Sequence, residues 1–207
     1  MSFFLPKIYP ITDISITKLS HLEQVERLIE GGATFIQLRD KYSTPKDFYE
    51  SAKDVMDFTH GKDVKIIIND RVDIALAVKA DGVHLGQDDL PPRYAREILG
   101  KKAIIGFSTH NIPQVIEAVK MPIDYVAIGP IFATSTKENP DPIVGIEGLK
   151  TVREAIGDFP LVAIGGIDTQ NVRNILEKGA DSVAVISQIL RESQKITESF
   201  RQFVKHL

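Results

Sequence analysis

FIQLRDK, residues 35–41, sets an apolar run directly against three charges. Phe35, Ile36 and Leu38 read as a buried strand, yet Gln37 lies inside the run and Arg39, Asp40 and Lys41 follow at once. A surface loop accounts for the charges but not for their abruptness. A strand of a parallel barrel accounts for both, because every strand there ends on one face and the loops after those ends build the active site. Such a strand is buried along its body and polar at its carboxyl tip. Side chains alternate along an extended chain, so Gln37, Arg39 and Lys41 share one side. Arg39 and Lys41 then lean into a pocket together, two donors suited to a multiply charged anion.

The rest of the chain repeats the pattern. Short strand-like runs occur at 7–13, 34–39, 64–70, 82–86, 103–108, 124–129, 160–166 and 182–187, with helical apolar spacing between them. Strand–helix alternation predicts a parallel sheet covered by helices. GGATFIQL, KADGVHLG, PIDYVAIG and KGADSVAV each place a small or acidic residue just ahead of every second strand. A repeat two βα units long is what a fourfold pseudo-symmetric barrel shows. An open doubly wound sheet would carry a glycine fingerprint after its first strand, and PITDISI has none. The expectation is α/β, a single (β/α)8 TIM barrel spanning 1–207.

Composition excludes several classes. The 207 residues are 43% hydrophobic and carry a formal charge of −3, which argues against a nucleic-acid or anionic-membrane surface. There is no cysteine, so thiolate chemistry and disulfides are excluded. The first residues, MSFFLPKIYP, lack a signal-peptide pattern, and no run approaches a membrane span. A cytoplasmic protein is expected.

The polar tips of the strands form a coherent set. Asn69–Asp70 end the third and Gln87–Asp88–Asp89 follow the fourth. Carboxylates at adjacent strand ends can converge on magnesium, which takes one or two carboxylates, waters and phosphate oxygens. Alternatively Asp70 caps the helix RVDIALAV, and Asp88 or Asp89 caps one begun by Pro91 or Pro92. The loop from Ile131 to Ile146 offers Thr134, Ser135, Thr136 and Lys137 and has the length of a lid. Gly165–Gly166 and the amides near Ile186–Ser187 lie where these barrels bind phosphate. Ser108 either donates into the pocket or begins the turn STHN. His84, inside an alternating strand, reads as a packed, hydrogen-bonded residue rather than a ligand. His110 precedes Asn111, itself a helix-cap candidate. Two anion sites, one of them expected to hold Mg2+, suggest the joining or rearranging of two phosphorylated small molecules.

QLRDK, IIINDRVDIALAVKADGVHLGQDDLP, IGFSTHN, IGPIFATSTK, VAIGGI and VAVIS, in this order from Ile8 to Ile189, resemble the thiamine-phosphate synthase family. The resemblance implies coupling of a pyrimidine diphosphate to a thiazole phosphate with release of pyrophosphate. It implies that Gln37, Leu38, Arg39, Asp40, Lys41 and Asn69, together with Ser108 and Lys137, bind the pyrimidine diphosphate. Thr134, Ser135, Thr136, Gly166, Ile186 and Ser187 would bind the thiazole phosphate, and Asp70 and Asp89 the magnesium. Arg39, Lys41, Lys137 and Ser108 would serve the chemistry. Ala133 stands where many relatives carry proline. The rivals are a thiazole tautomerase of the same fold, which does not need the diphosphate and metal residues, and a non-catalytic regulator that binds thiamine phosphate. The expected partners are two small-molecule substrates, with no nucleic acid or membrane and with a homo-oligomer left open.

Overall fold

A computed structural model describes residues 5–134 and 141–207. Eight parallel strands pair in sequence order and the last returns to the first, closing a barrel. The strands are β1 Ile8–Thr12, β2 Phe35–Leu38, β3 Lys65–Asn69, β4 Gly82–Leu85, β5 Ile104–Thr109, β6 Tyr125–Ile128, β7 Leu161–Ile164 and β8 Ser182–Val185. Helices alternate with them: α1 Ile14–Thr17, α2 His21–Gly31, α3 Pro45–Thr59, α4 Val72–Val78, α5 Pro92–Leu99, α6 Ile112–Ala118, α7 Gly145–Ile156, α8 Val172–Glu177, α9 Ser187–Leu190 and α10 Ile196–Lys205. The expected (β/α)8 barrel is therefore the fold. Among the described residues, no helix is long and apolar enough to cross a membrane.

The acidic half of the internal repeat has a structural reason. Asp81, Asp124 and Asp181 precede β4, β6 and β8, and each reaches back to the strand before it. Asp81 accepts from the Ile66 amide at 2.9 Å, Asp124 from Ile105 at 2.7 Å and Asp181 from Leu161 at 2.8 Å. Each carboxylate also holds a cation: Lys65 at 2.8 Å, Arg96 at 2.7 Å and Arg153 at 2.6 Å. These clasps satisfy amides at the strand starts that the slanted parallel ladder leaves open.

Alternation along the strands makes two apolar layers. Ile36, Leu38, Ile66, Ile68, Val83 and Leu85 face the helices and are buried. Tyr9, Phe35, Ile67, Tyr125, Val162 and Ala184 fill the interior. Tyr9 meets Phe35 edge to face, with ring centroids 4.7 Å apart, an arrangement worth about 1 kcal/mol beyond its area. Gly106 in β5 leaves the space into which the Tyr125 ring projects, since a Cβ there would lie 2.0 Å from Tyr125 Cζ. Helix starts follow their caps: Ser20 and Glu23 form a capping box on α2, Thr44 caps α3, and Asn111 caps α6 as the sequence suggested.

Candidate active site

The carboxyl ends of the strands open into one cavity of about 690 Å³. Gln37, Arg39 and Lys41 all line it, whereas Leu38 and Asp40 do not, so the alternation expected along QLRDK is present. The Leu38 side chain is buried in the layer under the helices. Asp40 turns away from the cavity toward α2, where His21 Nε2 lies 3.6 Å from its Oδ2. Its Oδ1 accepts from the amides of Tyr42 and Ser43 at 3.1 and 2.9 Å. His21 first, and then these amides, hold the Asp40 carboxyl well below the usual carboxylate range. Asp40 thus shapes the turn after β2, and its side chain makes no wall of the cavity.

Both cations of this strand tip are aimed by carboxylates. Arg39 Nη1 donates to Oδ2 of Asp13, at the tip of β1, at 2.7 Å. Asp13 is itself fixed, its Oδ1 accepting from the Ser15 amide at 2.9 Å and its own amide donating to Gln24 at 3.0 Å. Lys41 is ion-paired with Asp70. Asp70 follows β3 in the left-handed region, with φ 61°, a conformation that costs a non-glycine residue about 1–2 kcal/mol.

Neither proposed metal carboxylate caps a helix. The caps of α4 and α5 are Arg71 and Pro91, without side-chain cap bonds. Asp89 instead accepts from the Gly86 amide at 2.6 Å. Burial, and then the neighbouring Asp70 carboxylate, push the Asp89 carboxyl up against the pull of that amide. Two oxygen-donor side chains repelling one another beside a single ammonium suit a hard divalent cation. Among the described residues no group of three or more acidic or histidine ligands forms, so such a cation would complete its shell from water and substrate oxygens. Asn69 is buried in the cavity wall with its Nδ2 unpaired. An unmet buried donor costs about 1–3 kcal/mol, which a ligand acceptor offsets.

The described residues expected at the second anion site line the same cavity. They are Thr134, Gly166, Ile186 and Ser187. Gly165 and Gly166 have φ 100° and 66°, and Cβ atoms there would meet Pro130 and Phe132 at 2.6 Å. The double glycine therefore lets the loop after β6 lie on the tip of β7, where the Ile131 amide donates to the Ile164 carbonyl at 2.9 Å. Ser135, Thr136 and Lys137, and with them the middle of the expected lid, lie outside the described residues. Sequence reasoning missed Asp13 and Arg191. Asp13 was legible by the same polar-tip rule that exposed Arg39, and Arg191 follows Ser187 by four residues. Arg191, Ser187 and Arg39 line both this cavity and an adjoining one of about 270 Å³.

Residues 8–189 match the family model described as thiamine monophosphate synthase. The chain belongs to the thiamine monophosphate synthase family. It is 47% identical over 186 residues to a thiamine-phosphate synthase of Clostridium novyi, covering 89% of this chain and 91% of that one. Identity to the thiamine-phosphate synthase of Chloroflexus aurantiacus is 41% over 197 residues, covering 95% and 90%. The solved thiamine phosphate pyrophosphorylase of Pyrococcus furiosus superposes with a TM-score of 0.86 at 37% identity, covering 97% and 94%. The resemblance read from the motifs is thus a family membership, and relatives in this family are transferases.

Within the family frame, His84 is the packed residue the sequence suggested. It is buried, its Nδ1 bonded to the Tyr125 hydroxyl at 2.9 Å and its Nε2 to Ser108 Oγ at 2.8 Å. Burial pushes the imidazole down to about 4, so it is neutral near neutral pH. Ser108 lies within β5 and begins no turn. His110 Nδ1 sits 3.3 Å from Asp141, at the described edge of the long loop.

Proposed function

We propose that the protein is a thiamine-phosphate synthase. It couples 4-amino-2-methyl-5-(diphosphooxymethyl)pyrimidine with 4-methyl-5-(2-phosphooxyethyl)thiazole, giving thiamine phosphate and pyrophosphate. The observation that carries this reading is one cavity lined by two unlike sets of residues. Arg39, Lys41 and Asn69 belong to the first, and Gly166, Ile186 and Ser187 to the second. A thiazole tautomerase does not need the first set, with its Asp70 and Asp89.

The reaction asks little of acids and bases. The methylene–oxygen bond breaks with its electron pair leaving on pyrophosphate, helped by the electron-rich aminopyrimidine. The thiazole nitrogen lone pair then forms the new carbon–nitrogen bond, and no proton changes hands. Arg39 and Lys41 hold the diphosphate and stabilise the charge that gathers on it. Lys137, Ser135 and Thr136 are assigned by sequence to the same task and to the thiazole phosphate. Leu38 and Asp40 contribute backbone and turn shape, while Ser108 and Gln37 hold the ring. Gly166, Thr134, Ile186 and Ser187 seat the thiazole phosphate and orient its nucleophile. Asp70 and Asp89 would hold Mg2+, which when bound neutralises charge on the departing diphosphate. Water has to be kept from trapping the cation, the task for which the sequence offers the 131–146 loop.

Purified protein given both substrates should release pyrophosphate and form thiamine phosphate in equal amounts, with Mg2+ and not with chelator. Release that needs only the pyrimidine would point to a hydrolase and sink the reading.

A further inference from the structure

Beneath the cavity floor, five uncharged side chains from five strands form an unbroken hydrogen-bonded line. Gln37 Nε2 donates to the Tyr9 hydroxyl at 2.9 Å, and the Tyr9 and Tyr125 hydroxyls lie 3.0 Å apart. Tyr125 continues to His84 Nδ1 at 2.9 Å, and His84 Nε2 reaches Ser108 Oγ at 2.8 Å. Both ends and His84 reach the cavity: Gln37, His84 and Ser108 line it, while Tyr9 and Tyr125 are fully buried. The line is held open by packing, since Gly106 makes room for the Tyr125 ring and His84 stacks on that ring at 5.5 Å.

A phenol has one proton and a neutral imidazole has one N–H, so each link constrains the next. Burial raises both phenols far above their ordinary range, which keeps them protonated. With Gln37 donating to Tyr9, the Tyr9 proton goes to Tyr125 and the Tyr125 proton to His84 Nδ1. His84 then carries its proton on Nε2 and donates to Ser108. In that sense Gln37 offers its carbonyl oxygen to the cavity and Ser108 offers its hydroxyl proton. Reversing the sense turns the Gln37 amide and makes Ser108 an acceptor. The two ends switch together or not at all.

We propose that Tyr9, Tyr125 and His84 are positioning residues that couple Gln37 to Ser108, so that the two recognise the substrate ring as one acceptor–donor unit. This rests on the reading of the cavity as an aminopyrimidine diphosphate site. The sense set by Gln37 donating to Tyr9 matches that ring, whose exocyclic amine donates and whose ring nitrogens accept. Gln37 and Ser108 sit on β2 and β5, which do not pair. Residues so separated ordinarily contribute independently to binding.

The test is a double-mutant cycle on binding of the pyrimidine diphosphate with Mg2+, read by titration calorimetry. Gln37→Met, Ser108→Ala and the pair are made in the wild-type chain and in a Tyr125→Phe chain. In the wild-type background the pair should bind at least about fivefold tighter than the product of the single losses, because losing either end releases the other. In Tyr125→Phe, whose ring still fills the space beside Gly106, the losses should multiply to within about twofold. Tyr9→Phe interrupts the same line and replaces Tyr125→Phe if that chain does not fold. Losses that multiply in the wild-type background overturn the coupling, as does non-additivity that survives either phenylalanine variant. Wild-type protein that takes up no pyrimidine diphosphate overturns the substrate reading and this inference with it.

Discussion

Arg39 and Asp13 form a 2.7 Å ion pair between the tips of two adjacent strands, and Asp13 is anchored in turn by Ser15 and Gln24. A long, flexible guanidinium is thereby held in one place at the mouth of the cavity. Ordering it in advance removes an entropy cost that the substrate would otherwise bear.

Asp13→Asn keeps the shape of the turn and removes the charge that aims Arg39. The predicted result is about tenfold weaker binding of the pyrimidine diphosphate, the scale of one charge-assisted hydrogen bond. Calorimetric titration checks it, and unchanged affinity would show that Asp13 does not position Arg39.

Asp70 pairs with Lys41, its backbone is strained, and it raises the proton affinity of Asp89. Asp70→Ala should therefore lower Mg2+-dependent pyrophosphate release at least about a hundredfold, since the lost group serves charge stabilisation. The circular dichroism spectrum should be unchanged. Mn2+ binding, followed by paramagnetic resonance, should weaken in parallel. An unchanged rate at saturating Mg2+ would overturn the proposed magnesium role of Asp70.

Asp40 holds its proton less tightly when folded than a free carboxyl does. Its contribution is complete above the unfolded value of about 4 and is lost as pH falls below it. Urea unfolding of wild type and Asp40→Asn should show a stability gap at pH 5 that narrows toward pH 2.5. A gap independent of pH would mean that His21 and the Ser43 amide do not act on its charge.

Gly106→Ala places a methyl 2.0 Å from Tyr125 Cζ, in a space closed by buried side chains. Overpacking of this kind costs about 1–3 kcal/mol, and here it should also displace Tyr125 from His84. The urea midpoint should fall while the slope stays constant. Wild-type stability would show that β5 can shift to admit the group.

The barrel was legible because its evidence is periodic. Eight runs of alternating strands and a two-unit repeat reach the same architecture from separate directions, and Asp81, Asp124 and Asp181 show that the repeat marks a real bond. The cavity wall of QLRDK was legible for the same reason, since alternation places Gln37, Arg39 and Lys41 together. What escaped depends on contacts between distant segments. Nothing local to Asp40 says that it faces His21 on α2, and nothing in GFS says that Gly106 exists for a tyrosine in the next strand. Likewise the double glycine reads as a ligand-facing turn, but its first neighbours are Pro130 and Phe132. Carboxylates were ambiguous in sequence because capping and metal binding use the same residue at the same place, and the caps of α4 and α5 remove only the capping reading.

The return of β8 to β1 has a consequence for the protein's birth. Ile186 and Ser187 follow the last strand, so the part of the cavity they line is missing until β8 has left the ribosome. A nascent chain halted after β6 would already own Asn69, Asp70, Asp89 and Ser108, yet it would be an open ribbon with two bare edges. Substrates have nothing to grip in such a ribbon. They bind the finished ring and, by mass action, draw newly made chains toward it.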